Sequence, residues 1–301
     1  MLNLSKVTMR RLVKFNSAFL LNAKCPIWLQ RAGLNLLGGF GSLPQSISIE
    51  KSKLTTLPAW WFKVNAKKSK QVVLYFHGGG YSIGSPRSHR DLCAYLAHYA
   101  GISVLSVAYR LAPEHPYPAA VEDANTAFKT LLKQGYAAKD IVLAGDSAGG
   151  SLALTLALDL KQQQSAQPAG LFLISPLINK KRSTNSHITQ YDVDPVISHK
   201  WSHQLAKNYL NHSQELIDRA CLSDKDLTGI APMLIHVGTD EVLLDDSLML
   251  KQRASKSGVT VKLVTFPEMW HVFHFSASIF TDARKALKQA GQEIKKYLKL
   301  Q

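Results

Sequence analysis

The chain has 301 residues, 46% hydrophobic and 19% charged, with a net charge of +15. That apolar content excludes a disordered chain, and a chain of this length buries roughly 75% of its unfolded surface. No run reaches the roughly 18 apolar residues a spanning helix needs, and Cys25, Cys93 and Cys221 stand too far apart for a metal knuckle or a disulfide framework, which points to a reducing, cytoplasmic setting.

Residues 1–45 are expected to form an N-terminal cap segment. Lys6, Arg10, Arg11, Lys14, Lys24 and Arg31 fall within it, and no acid precedes Glu50. The apolar run 15–21 is broken by Asn16 and Ser17 and closed by Asn22 and Lys24, so it does not read as a secretory signal. Leu12, Phe15, Phe19 and Leu20 lie near helical spacing. Such a basic amphipathic helix either touches anionic lipid weakly or lays its apolar side on the protein and leaves its cations solvated.

From Ser46 onward strands alternate with helices. Apolar runs at 71–76, 102–109, 141–145, 171–175, 233–237 and 261–266 read as strands, and 88–99, 119–132, 148–161, 246–257 and 282–298 read as helices. This predicts an α/β fold with a mostly parallel central sheet flanked by helices on both faces. Its core is expected in two parts, 46–178 and 230–301. The polar stretch 179–229, with one helix-like piece at 199–210, breaks the rhythm and reads as a cap insertion over one end of the sheet. In such sheets ligands bind beyond the carboxyl ends of the strands, so the residues that follow each strand carry the chemistry.

The strand at 141–145 runs through Gly145-Asp-Ser147-Ala-Gly149 into a helix. Gly-x-Ser-x-Gly in a strand–turn–helix setting is a nucleophile elbow, with Ser147 as nucleophile. The glycines let strand and helix approach, and the helix N-terminus favours a developing anion. The strand at 71–76 leads into His77-Gly78-Gly79-Gly80-Tyr81. Consecutive glycines free backbone amides for an oxyanion hole, worth about 3–4 kcal/mol per donor. Gly78 and Gly79 are expected as donors, with Ala148 as the third. His77 precedes the serine, and in this fold the order is serine, acid, histidine, so His77 is expected to bond within its own loop.

Together, 77–85, the segment Tyr109-Arg-Leu-Ala-Pro-Glu-His-Pro-Tyr-Pro-Ala119 and Gly145-Asp-Ser-Ala-Gly149 resemble the hormone-sensitive-lipase-like esterases, the bacterial family IV lipolytic enzymes. The resemblance runs from about Leu74 to Phe275 and implies an α/β-hydrolase fold with a helical cap and no cofactor. It implies a serine carboxylic-ester hydrolase acting on short- to medium-chain acyl esters through an acyl-enzyme. Arg110, Glu114 and His115 would then support the site rather than act in it.

The triad acid should follow the strand at 233–237, where the chain reads Gly238-Thr-Asp240-Glu241-Val-Leu-Leu-Asp245-Asp246. The family commonly has Asp-Pro-Leu-x-Asp-Glu here. Matching Leu243 and Asp245-Asp246 to that pattern places Glu241 in the acid slot; Asp240 is the alternative. Asp245 and Asp246 are expected to cap the next helix. After the strand at 261–266, His271 and His274 compete as base, and the family's His-Gly-Phe matches His271-Val272-Phe273. The other histidines pair with no cysteine or carboxylate at zinc-like spacing, so no metal is assigned. The expected partner is a small-molecule ester. Nucleic acid is suggested only by charge, without a recognition motif. A non-catalytic binding protein, as in the gibberellin receptors that lack the histidine, is disfavoured by Ser147, His271 and an acid together. Amide hydrolysis by the same triad, and a homodimer, stay open.

Overall fold

The computed structural model describes residues 3–39, 41–65 and 69–300; residues 1–2, 40, 66–68 and 301 of the expected segments lie outside these. Two helices open the chain, α1 (Lys6–Leu20) and α2 (Ile27–Leu37). An antiparallel hairpin follows, β1 (Ile47–Leu54) and β2 (Leu57–Val64), then β3 (Val72–Phe76), α3 (Arg90–Ala100), β4 (Val104–Val107) and α4 (Ala119–Lys133). Next come β5 (Ile141–Asp146), α5 (Ala148–Gln162) and β6 (Gly170–Ile174), then the short α6 (Ser186–Thr189), α7 (His199–Leu210) and α8 (Gln214–Ala220). The chain closes with β7 (Met233–Gly238), α9 (Leu244–Lys256), β8 (Val261–Phe266) and α10 (Thr281–Tyr297).

The strands form one sheet in the order β1-β2-β4-β3-β5-β6-β7-β8. β1 and β2 are antiparallel to their neighbours, and every pairing from β4 to β8 is parallel. The period-two alternation of a strand assigns its residues to two cores. Val72, Leu74 and Phe76 pack with α4, α5 and α9 on one face. Val73 and Tyr75 pack with α3 and α10 on the other.

A third apolar cluster lies at the carboxyl ends of the strands. Ile83, Ile197, Trp201, Leu205, Val242 and Leu243 form it, and Leu21, Ile27 and Leu34 of the N-terminal helices pack against it. The Trp201 indole donates to Gln30 Oε1 at 2.8 Å, joining α7 to α2. The N-terminal helices and the 179–229 stretch therefore meet over one end of the sheet. Among the described residues no helix is long and apolar enough to cross a membrane.

Candidate active site

β5 and α5 meet at Ser147, whose backbone sits at φ 52° and ψ −117°. Few side-chain-bearing residues adopt such a conformation unless their surroundings enforce it. The enforcement is visible. The Ser147 amide donates to Ile174 O at 2.8 Å, and a Cβ on Gly149 would collide with the carbonyl oxygens of Phe76 and His77. The turn thus carries the serine off the end of the strand to the wall of a cavity of about 300 Å³.

Gly79 and Gly80 line the same cavity. Gly79 at φ +111° and Gly80 at φ +58° lie in positive-φ conformations that glycine enters without steric cost. Their amides and that of Ala148, the first residue of α5, have no acceptor among the described residues. Gly78 differs from the expectation. Its amide already donates to Asp146 Oδ1 at 3.0 Å, so the glycines with amides free to meet a ligand are Gly79 and Gly80, not Gly78 and Gly79. The physical reason is Asp146, a buried carboxylate that also accepts from Tyr75 at 2.6 Å and meets His89 Nε2 at 3.2 Å. Burial pushes that carboxyl up, but His89 and the bonds it receives hold it below the usual range. The residue between Gly145 and Ser147 therefore ties down the glycine loop, and spacing alone did not reveal it.

His77 bonds within its own loop, Nδ1 to Gly78 O at 2.9 Å, and stacks on Tyr109 at 4.3 Å between ring centroids. Burial drives its pKa down to about 3, so it stays neutral. The Tyr109–Ala119 segment is likewise structural: Tyr109 donates to His77 O at 2.7 Å, and Arg110 bonds Asp123 at 2.9 Å and Glu122 at 2.8 Å.

Glu241 and His271 come together. Glu241 is fully buried, and its Oε1 stands 3.3 Å from His271 Nδ1. Its Oε2 accepts from the Ser175 hydroxyl at 2.8 Å and the Gly238 amide at 2.9 Å. Asp240 turns the other way and pairs with Arg10 at 2.8 Å. His271 lines the cavity with Ser147. Burial lowers its pKa, but the bond to Glu241 and the charges of Glu241, Asp194 and Asp146 outweigh this, and the net shift is upward. His274 lies in the core, Nε2 against His236 Nδ1 at 3.1 Å, and burial holds both rings neutral.

Two buried acids do work that the sequence did not disclose. Asp194 accepts from the amides of Val196 at 2.8 Å, Ile197 at 3.2 Å and Val242 at 3.1 Å. One carboxylate thus joins the 179–229 stretch to the loop that carries Glu241. Asp246 was expected to cap α9, yet α9 starts without a side-chain cap. Asp246 Oδ2 accepts from the amides of Ile178 at 2.7 Å and Asn179 at 2.8 Å, and Asp245 accepts from Ser186 at 2.7 Å. Buried loop amides need acceptors, and these acids supply them. Among the described residues no cluster of three His, Cys, Asp or Glu side chains is placed to hold a metal.

Residues 73–275 match the family model described as the alpha/beta hydrolase fold. The chain is 39% identical over 226 residues to an acetyl-hydrolase of Streptomyces hygroscopicus, covering 75% of this chain and 76% of that one. It is 37% identical over 223 residues to an esterase of Acinetobacter venetianus, covering 74% of each. Its structure superimposes with a TM-score of 0.91 on the crystal structure of an esterase from the bacterial hormone-sensitive lipase family, at 32% identity, covering 98% of this chain and 100% of that one.

Proposed function

The chain belongs to the α/β-hydrolase family, among the hormone-sensitive-lipase-like esterases, and hydrolyses carboxylic esters; from that premise we propose that Ser147, His271 and Glu241 perform the reaction, with Gly79, Gly80 and Ala148 as the oxyanion hole. The observation that carries this reading is the convergence on one cavity of a serine on a strained turn, a histidine held by a buried carboxylate, and glycine amides without acceptors. Ser147 attacks the ester carbonyl as His271 takes its proton. The alkoxide of the tetrahedral intermediate accepts from the three amides. His271, now an imidazolium stabilised by Glu241, gives the proton to the departing alcohol. Water activated by the same ring then releases the acid from Ser147.

The substrates we infer are small-molecule esters with short to medium acyl chains, since a cavity of about 300 Å³ has little room for a long one. The test of the nucleophile is direct. A fluorophosphonate should label Ser147, read by mass spectrometry, and Ser147→Ala should lower kcat by several orders of magnitude. Label on another serine overturns the assignment.

We also infer that the N-terminal helices rest weakly on an anionic lipid surface. Phe15, Phe19 and Trp28 are 73%, 71% and 65% exposed, and Arg11, Lys14 and Lys24 stand exposed among them. Leu12, Leu20 and Leu37 of the same helices line the cavity, so the patch continues into the substrate site. The described cysteines are buried and unpaired, which supports a reducing compartment such as the cytoplasm.

A further inference from the structure

The cavity contains two cations that the proposed mechanism does not use, Lys180 and Arg182. Lys180 is only 7% exposed. Its ammonium donates to the Ser151 hydroxyl and to Leu177 O, and it stands 5.6 Å from the centroid of the Tyr81 ring. Arg182 donates through Nη2 to Ser202 O, while its Nη1 is buried without an acceptor. Among the described residues neither has a carboxylate in ion-pair contact. Asp246 is the acid whose charge both feel. Its Oδ2 is taken by two loop amides and its Oδ1 faces His187 Nδ1 at 3.5 Å.

Burying cations without a carboxylate in contact is costly, and a ligand anion would supply the contact that the protein leaves out. The position suits an ester. Ser151 lies in the first turn of α5, its amide donating to Ser147 O at 3.1 Å, and Ser147, Lys180 and Arg182 line one cavity. An acyl chain esterified to Ser147 therefore has a cation within reach. The walls between are apolar, with Leu177, Trp201, Leu205 and Val242 among them. Apolar walls ending in an ammonium and a guanidinium suit an aliphatic chain that ends in a carboxylate, which a guanidinium binds through charge-assisted bonds.

We propose that Lys180 and Arg182 form an anion-binding end of the acyl pocket, and that the preferred substrates are monoesters of aliphatic dicarboxylic acids. The proposal rests on Ser147 as the nucleophile. The test compares kcat/KM for monoethyl adipate and ethyl hexanoate, followed by ethanol release at neutral pH. In the wild type the ratio of adipate to hexanoate should exceed about 10, and Lys180→Met and Arg182→Met should each lower it by about tenfold or more. A loss of folded enzyme scales both rates alike and leaves the ratio readable. A wild-type ratio below one, or a ratio that both variants keep, overturns the subsite. Ser147→Ala separates the two claims: hydrolysis of ethyl hexanoate that survives it overturns the nucleophile instead.

Discussion

Glutamate reaches one methylene further than aspartate, and at position 241 both carboxylate oxygens are used. One faces His271 and the other is fixed by Ser175 and Gly238. Glu241→Gln keeps the shape but removes the charge that stabilises the imidazolium, and should lower kcat by up to ~10⁴ by analogy with the serine-protease triad. Asp240→Asn, which disturbs a half-exposed pair with Arg10, should cost less than about tenfold. Measuring kcat for both variants decides between the neighbours; the reverse order would make Asp240 the acid. The same environment sets the pH profile. His271 must be neutral to act as base, and its pKa is raised above the ordinary value. The rising limb of kcat/KM should therefore have its midpoint above ~6.5, and in Glu241→Gln that midpoint should move down. A wild-type midpoint below ~6.5 contradicts the raised pKa. At this scale spacing and chain order were informative, because the elbow and the acid's register depend on local sequence. Which glycine amides are left without an acceptor was not legible, since that depends on Asp146 reaching across from the neighbouring strand.

Strands β3 to β7 were readable because burial on both faces leaves continuous apolar runs; β8, at the sheet edge and only partly buried, was readable from Val261, Val264 and Phe266. β1 and β2 went unassigned. They form the antiparallel edge of the sheet, and β1 exposes Glu50 and Lys51 within a mixed polar sequence, so no apolar run marks it. α2 and α8 were missed for a related reason: α2 buries Gln30 while exposing Trp28 and Leu36, the inverse of the usual face. That inversion has a cause in the link between helices. Gln30 accepts the Trp201 N–H and donates to Cys25 O at 2.7 Å. Trp201→Phe should leave a buried amide oxygen without its donor, costing about 1–3 kcal/mol. Thermal unfolding should show a Tm lower by a few degrees, and an unchanged Tm would mean the bond between α2 and α7 contributes nothing.

The net charge of +15 is unevenly placed, with no acid before Glu50. The basic, aromatic surface of α1 and α2 should bind phosphatidylglycerol vesicles in a co-sedimentation assay and release them as salt rises. Phosphatidylcholine vesicles should bind less, and the double variant Phe15→Ser, Phe19→Ser should bind weakly to both. Equal partition onto the two lipids would contradict the electrostatic part of this reading. Across the whole molecule, α1 is held by residues from the far end of the chain. Leu4 N donates to Ile279 O at 2.9 Å, Asn3 accepts from Thr281 at 3.0 Å, Lys6 pairs with Glu268 at 2.8 Å, and Arg10 pairs with Asp240. During synthesis domains generally fold from the N-terminus as the chain emerges. Here Asn3, Leu4 and Lys6 bond to Thr281, Ile279 and Glu268, so these contacts wait until that distant part of the chain has been made. A cavity wall built from α1 is thus secured by residues more than 250 positions away in the sequence.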